Sequence, residues 1–328
     1  MKLSVLMNLY ADKPFKEVCE ILSKQGVQAV EIGCGGYPGK DHCNPEVMLQ
    51  HPEMITEMLD VLKANNLEIA ALSTHGNPVH PNKEIAKQFH DDFENAVLLY
   101  EKINEMGGHV DTIVTFSGCP GGSPEDTTPN WATAAWPPDF LDVLDYQWNQ
   151  VLIPYWKKEA AFAESHGVKK IAFEMHPGFC VYNPETLMKI RNAVGPIIGA
   201  NFDPSHLFWQ GINPVNAIRY LGENNAIHYF HAKDTKIDEQ NTAVNGVLDT
   251  KLYTDELHRS WIFRSLGYGH DISVWKDIMS TLRKVGYDGY ISIEHEDSLM
   301  SVAEGLAKAI AVLKESMIFE EKRVVTWA

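Results

Sequence analysis

The stretch Ile198-Gly199-Ala200-Asn201-Phe202-Asp203-Pro204-Ser205-His206 is a short run of small and apolar residues that stops at a carboxylate and passes at once into a proline. It reads as a β-strand that carries Asp203 to its end, with Pro204 suited to the first turn of a helix. Three other stretches have the same shape: Ile171-Ala172-Phe173-Glu174-Met175-His176-Pro177, His228-Tyr229-Phe230-His231-Ala232-Lys233-Asp234 and Ile291-Ser292-Ile293-Glu294-His295-Glu296-Asp297. Outward from these, the β-rich runs are Lys2–Leu9, Gln28–Ile32, Glu68–Ser73, Thr112–Phe116, Lys170–Glu174, Ile197–Asp203, Ile227–His231 and Gly289–Glu294, eight in all. Helical patterns lie between them at Pro14–Lys24, Pro45–Lys63, Lys83–Glu105, Gln147–Glu164, Pro184–Asn192, Pro214–Leu221 and Ile272–Lys284, and Leu299–Glu315 follows the last strand. Such alternation implies parallel strands joined by helical crossovers, and eight units predict an α/β protein of the closed (β/α)8 TIM-barrel type. A doubly wound nucleotide fold would need a glycine-rich first turn, and no G-x-G-x-x-G follows the first strand. The expectation is a single barrel domain over residues 1–316 and a C-terminal tail over 317–328, whose last residues could dock on a neighbouring copy in a homo-oligomer.

Composition narrows the function classes. The chain has 328 residues, 45% hydrophobic and 22% charged, which suits a globular core. Lys plus Arg number 28 against 44 Asp plus Glu, a formal charge of −16 that disfavours nucleic-acid backbones as partners. No segment approaches the ~20 apolar residues of a membrane span, and the first ten residues read as a strand rather than a signal peptide. Cys19, Cys34, Cys43, Cys119 and Cys180 are scattered and odd in number, the usage of a cytoplasmic protein with reduced thiols.

Strand parity then picks out a site. Side chains alternate along a strand, so Ile171 and Phe173 facing the helices turn Ala172 and Glu174 inward. The same rule turns Asn201 and Asp203, Tyr229 and His231, and Ser292 and Glu294 inward. Four strand ends therefore converge Glu174, Asp203, His231 and Glu294 at the barrel mouth. Three carboxylates at one point repel unless a cation neutralises them. Oxygen donors plus one imidazole suit Mn²⁺ first, with Mg²⁺, Co²⁺, Fe²⁺ or Zn²⁺ also compatible.

The runs E-M-H-P, D-P-S-H, H-A-K-D and I-E-H-E, in that order, resemble the xylose-isomerase-like TIM-barrel superfamily of metal-dependent sugar isomerases, epimerases, inosose dehydratases and endonuclease IV. The resemblance spans nearly the whole chain. It implies that Glu174, Asp203, His231 and Glu294 are the metal ligands and that His206 contacts substrate. Gly267-Tyr268-Gly269-His270-Asp271-Ile272-Ser273-Val274-Trp275 is similar to the superfamily's loop before the eighth strand. The trinuclear site of endonuclease IV needs a histidine on the fourth strand and a D-x-H pair after the seventh. Asp111–Ser117 has no histidine and Ala232–Asp271 has no D-x-H, so a DNA-repair endonuclease is the least favoured alternative.

The chemistry expected is that of a sugar isomerase or epimerase. A metal polarises a carbonyl, Glu174 and Glu294 act as acid and base on opposite sides, and the substrate passes through an enediolate. The alternative is a lyase on the same scaffold, a dehydratase or an enzyme cleaving a keto-glycoside by β-elimination; a non-catalytic sugar-binding barrel is the third reading. Secondary candidates for substrate contact are His176, His75, Lys233, Arg264 and Trp131. For Lys233 a salt bridge to Asp234 competes with that role, and for Glu31 a hydrogen-bond anchor does. Trp136, Trp261 and Tyr268 join Trp131 as stacking candidates. Two long connections, Ser117–Tyr146 and Ala232–Asp271, are expected to form a lid over a sugar, keto-sugar, glycoside or cyclitol.

Overall fold

The computed structural model describes residues 1–320 and 327. Eight parallel strands close into a barrel: β1 (Lys2–Leu6), β2 (Ala29–Gly33), β3 (Glu68–Ser73), β4 (Thr112–Thr115), β5 (Lys170–Glu174), β6 (Ile198–Phe202), β7 (Ile227–Ala232) and β10 (Tyr290–Ile293), with β1 bonded to both β2 and β10. The strand expected over Lys2–Leu9 ends at Leu6, because Met7–Tyr10 coil into a 3₁₀ turn at the barrel mouth.

The lumen is filled by small side chains, Ala29, Ala70, Ala71, Val114 and Ala172, around the ring of Tyr229. Outward-facing Ile32, Ile113, Ile171, Phe173, Phe202, Phe230, Ile291 and Ile293 join the helices in the main core. The helices are α1 (Phe15–Lys24), α2 (Pro45–Met48), α3 (Pro52–Ala64), α4 (Lys83–Glu105), α5 (Asp139–Asp145), α6 (Ile153–Ser165), α7 (Pro184–Val194), α8 (Pro204–Phe208), α9 (Pro214–Glu223), α10 (Glu239–Asn245), α11 (Ile272–Lys284) and α12 (Val302–Ser316). Their starts are set by side chains that accept from exposed amides: Asn44, Asn82, Asn183, Asp203, Asn213, Asp238 and Ser301. The helix expected over Pro45–Lys63 is two, because a second proline, Pro52, starts a new first turn after His51.

Both long connections hold structure that periodicity did not reveal. The first carries α5 and a π-helical segment, Tyr146–Leu152, that runs into α6. Gln147 pins it, its Nε2 donating to the carbonyls of Pro120 at 3.1 Å and Gly121 at 3.2 Å. The second contains an antiparallel ribbon of β8 (Asp234–Ile237) and β9 (Trp261–Arg264). Of the tail expected over 317–328, Met317 is buried and Ile318 and Phe319 are exposed. The docking expected of its last residues falls mostly on positions outside those described. Among the described residues, no helix is long and apolar enough to cross a membrane.

Candidate metal centre and cleft

Glu174 is the last residue of β5, Asp203 follows β6 as the N-cap of α8, His231 lies in β7 and Glu294 follows β10. One ligand atom from each of the four lies within 4.8 Å of the others, as strand parity predicts. Glu174, Asp203 and His231 are buried, and the Glu294 side chain is 16% exposed, open to a cleft.

A hydrogen-bonded frame fixes these groups. Glu31 of β2, three strands round the ring from β7, reaches across the lumen and accepts from His231 Nε2 with both oxygens at 3.0 Å. Ser292 Oγ donates to Glu31 at 2.7 Å, and Ser73 Oγ donates to its other oxygen. With Nε2 committed, His231 Nδ1 faces Glu174 Oε2 and Glu294 Oε2, each at 3.2 Å. Glu174 accepts from His206 Nε2 at 2.9 Å, His75 Nε2 at 3.1 Å and Asn201 Nδ2 at 3.2 Å. Lys233 Nζ lies 2.7 Å from Glu294 Oε2, 3.0 Å from Glu296 Oε2 and 3.3 Å from Asp203 Oδ2.

The donor set fits a divalent cation. Asp203 Oδ2 and His231 Nδ1 are both buried and make no well-aligned hydrogen bond, their neighbours being the Lys233 ammonium and two carboxylates at 3.2–3.3 Å. Once deprotonated, both are lone-pair donors pointing into a ring of carboxylate oxygens. A cation bound by Glu174, Asp203, Glu294 and His231 Nδ1 would satisfy each of them, with Glu31 as the carboxylate behind the ligating imidazole.

The charges confirm the tension. Burial opposes the charge of Glu174, but hydrogen bonds from His206, His231 and His75 outweigh it and hold its carboxyl well below the usual range. Burial likewise opposes charge on His231, yet Glu31 and Glu294 raise its pKa well above that of a free imidazole. Asp203 goes the other way: burial, which Lys233 offsets only in part, pushes it up to about 7. Burial lowers His176 to about 3, so its ring is neutral.

The cleft above this centre has a volume of about 350 Å³. His75, His176, Glu174, Glu294, Glu296 and Lys233 line its polar side, and Tyr37, Phe116 and Phe179 its aromatic side. Phe116 and Phe179 stack with centroids 4.2 Å apart. Tyr37 is held by a tight turn in which its amide donates to His75 O at 2.8 Å. Gly36 (φ +63°) makes that turn, and a Cβ there would sit 1.8 Å from the same carbonyl. A larger cavity, about 540 Å³, opens at the opposite end of the barrel among Lys2, Asp111, Lys170 and Tyr290, far from the ligand set.

Several expectations need correction. Lys233 does not pair with Asp234. The two alternate in direction, and the Asp234 carboxylate accepts from the amides of Gly267 (3.1 Å), Gly269 (3.1 Å) and His270 (2.9 Å) and pairs with His270 Nδ1 at 2.8 Å. The glycine-rich loop is thus folded around Asp234, and a Cβ on Gly269 would lie 2.3 Å from Thr235 O. Arg264 is turned away from the cleft and pairs with Glu256 and with Asp297. Trp131 stands behind the aromatic wall, its Nε1 donating to Phe179 O at 3.0 Å. Trp136 is exposed, and Trp261 stacks on Trp209. Tyr268 is half exposed and absent from the cleft lining. His206 lies beneath the cleft rather than on its wall, bonded to Glu174.

The two long connections do not form a lid in this structure, since Lys233, at the very start of the second, is the one residue that they give to the cleft lining. They buttress the site instead: Phe263 of β9 packs its ring against His206, and Lys233 Nζ lies 4.6 Å from that ring's centroid. Sequence reasoning missed Tyr37, Phe116, Phe179 and Glu296. Glu296 carried a usable signal in the parity it shares with Glu294, and Phe116 in the parity it shares with lumen-facing Val114.

Comparison with known proteins agrees with this architecture. Residues 19–316 match the family described as xylose isomerase-like TIM barrel. The uncharacterized protein YfiH of Bacillus subtilis (strain 168) is 40% identical over 321 residues, covering 97% of this chain and 99% of its own. Among solved structures, an IolI protein with a bound zinc atom superposes with TM-score 0.65 at 17% identity over 97% of this chain and 99% of its own. A D-tagatose 3-epimerase-like protein gives TM-score 0.63 at 20% identity (96% and 97%). The probable 3-DHS dehydratase AsbF of Bacillus anthracis gives 0.62 at 16% (96% and 99%). At such identities the superpositions show the fold alone.

Proposed function

The chain belongs to the xylose isomerase-like TIM-barrel family, and from that premise we propose that it is a divalent-metal-dependent isomerase or epimerase acting on a sugar or keto-sugar. The observation that carries the reading is the ligand set itself: four donors at one mouth, two of them glutamates that also border the cleft. Bound there, a divalent cation supplies Lewis acidity that makes the hydrogen beside a carbonyl more acidic. Mn²⁺ suits the oxygen-rich set, and the zinc-bound IolI structure supports a divalent ion in this fold.

The residues supply the rest. Glu174 and Glu294 sit three strands apart, so they approach a bound sugar from different sides. One carboxylate removes the proton and the other returns it, on the opposite face for epimerisation or at the neighbouring carbon for isomerisation. His206, His75 and Asn201 fix Glu174 in one orientation, and Lys233 does the same for Glu294. Tyr37, Phe116 and Phe179 offer an aromatic wall to the C–H face of a sugar ring. Lys233 is held by three carboxylates and Arg264 by two, so neither is free for a phosphate, which favours uncharged sugars, glycosides or cyclitols.

A second reading is elimination, as in the probable dehydratase that shares this fold. One observation favours it: His176, neutral and on the cleft wall, is a further proton carrier close to Glu174. Incubating the Mn²⁺-loaded protein with a panel of keto-sugars and keto-glycosides in D₂O separates the two. Deuterium on the carbon beside the carbonyl of an epimer or isomer supports proton return. A product that has lost water or an aglycone supports elimination. No turnover of any member and no binding would refute both.

A further inference from the structure

Two of the five cysteines stand side by side at the barrel mouth. Cys119 follows β4 and Cys180 follows β5, and these strands are neighbours in the ring. The Cys180 amide donates to Gly118 O at 3.0 Å, and the Val181 amide donates to Ser117 Oγ at 3.0 Å. The Cys180 amide, bonded to the carbonyl just before Cys119, holds the two backbones one hydrogen bond apart, with Cα atoms roughly 5–6 Å from each other. That spacing is inside the roughly 4.4–6.8 Å between Cα atoms that a disulfide requires. Both thiols are buried, and Cys119 Sγ lies 3.7 Å from Pro120 O. Cys180 also borders a cavity of about 460 Å³ beside Trp131 and Lys189, which gives a small oxidant a route to the pair.

We propose that Cys119 and Cys180 form a reversible disulfide, driven by peroxide, that clamps the aromatic wall of the cleft. The Cys119 thiolate attacks one oxygen of hydrogen peroxide, the O–O bond breaks, and the leaving hydroxide takes up a proton to become water. Cys119 is then a sulfenic acid. The Cys180 sulfur attacks it, the S–S bond forms, the S–O bond breaks, and a second water leaves with the Cys180 proton. Two thiols lose two electrons and one peroxide becomes two waters.

The remaining cysteines differ in kind. The contact with Cys180 lowers the Cys119 pKa, whereas burial pushes Cys19 and Cys43 up to about 12 and holds Cys34 well above its usual value. Thiolate character governs reactivity, so Cys119 reacts first. The consequence falls on the cleft: Phe116 lies three residues before Cys119 and Phe179 one before Cys180, and their stacked rings make the wall.

The test needs no substrate. The reduced full chain is exposed to hydrogen peroxide, quenched, unfolded and alkylated. The expected product has lost two hydrogens, yields one Cys119–Cys180 linked peptide, leaves Cys19, Cys34 and Cys43 alkylatable, and reverts with dithiothreitol. Cys180→Ala should give a dimedone-trappable sulfenic acid at Cys119 and no disulfide. Amide exchange at 114–121 and 178–182 should slow in the oxidised chain and not in peroxide-treated Cys180→Ala. Alkylation of every cysteine after peroxide, a disulfide between any other pair, or oxidation to sulfinic acid without a disulfide would overturn the pair. A disulfide that leaves exchange unchanged at those segments would overturn the clamp.

Discussion

Replacing Glu31 by Gln should weaken metal binding at a site that Glu31 does not touch. In the wild type both Glu31 oxygens face His231 Nε2 at 3.0 Å, which keeps a proton on Nε2 and makes Nδ1, toward Glu174 and Glu294, the nitrogen that gives up its proton to a cation. A glutamine keeps the volume but presents one carbonyl and one NH₂. With Ser73 and Ser292 already donating to this position, the amide nitrogen is placed where it can donate to Nε2. That shifts the ring to the tautomer with a proton on Nδ1, where the cation belongs. The negative charge behind the imidazole is lost as well. Changes of this type typically cost 10–100-fold in metal affinity, about 1.4–2.7 kcal/mol. Titration with Mn²⁺ against a competing chelator measures it, and circular dichroism checks that the variant is folded. A folded Glu31→Gln protein whose Mn²⁺ affinity stays within twofold of wild type would refute the orientation argument.

Four further outcomes follow from the same geometry. Burial raises Asp203 to about 7 and the carboxylates around His231 raise it too, so a cation must displace protons, and Mn²⁺ affinity should fall on acidification below about pH 7 by about tenfold per pH unit for each proton displaced. The raised pKa of Asp203 contributes stability that is full below its unfolded value near ~4 and lost as pH rises through about 7. His231, also raised, has the same sign, so these two groups favour the metal-free protein at pH 6 over pH 7.5 while the Mn²⁺-loaded protein changes the other way; Tm with and without metal reads this. Asp234→Ala strips the acceptor from three loop amides and should lower unfolding stability by roughly 3 kcal/mol or more, at ~1–3 kcal/mol per buried unsatisfied amide; a urea titration showing under about 1 kcal/mol would contradict the staple role. Phe179→Ala removes one face of the aromatic wall and should raise KM for a neutral sugar by roughly fivefold, about 1 kcal/mol, with kcat little changed; an equal fall in kcat would mean the ring positions the reacting carbon.

The parts of the site legible in the sequence are those fixed by strand period. Glu174, Asp203, His231 and Glu294 each sit at the end of a strand whose apolar residues declare which face is outward, so inward parity and convergence follow from local pattern. The function of Glu31 does not, because it depends on barrel closure bringing β2 within reach of β7 across 200 residues of chain. Apart from Phe116 at the end of β4, the aromatic wall comes from loops, where no period tells Phe179 from the more conspicuous Trp131 beside it. The β8–β9 ribbon pairs Asp234–Ile237 with Trp261–Arg264, across a gap too long for a tight-turn signal. Within Lys233-Asp234, adjacency suggested a pair, but alternation sends one residue to the carboxylates of the candidate metal centre and the other to the glycine-rich loop.

The central claim is one divalent ion per chain at these four ligands, and metal content after loading tests it most directly. Protein stripped with a chelator, refilled with Mn²⁺ and desalted should retain about one Mn²⁺ per chain, and Asp203→Ala should retain almost none while remaining folded. A wild-type chain that holds no Mn²⁺, Zn²⁺ or Co²⁺ under these conditions, or an Asp203→Ala chain with full occupancy, would contradict the account.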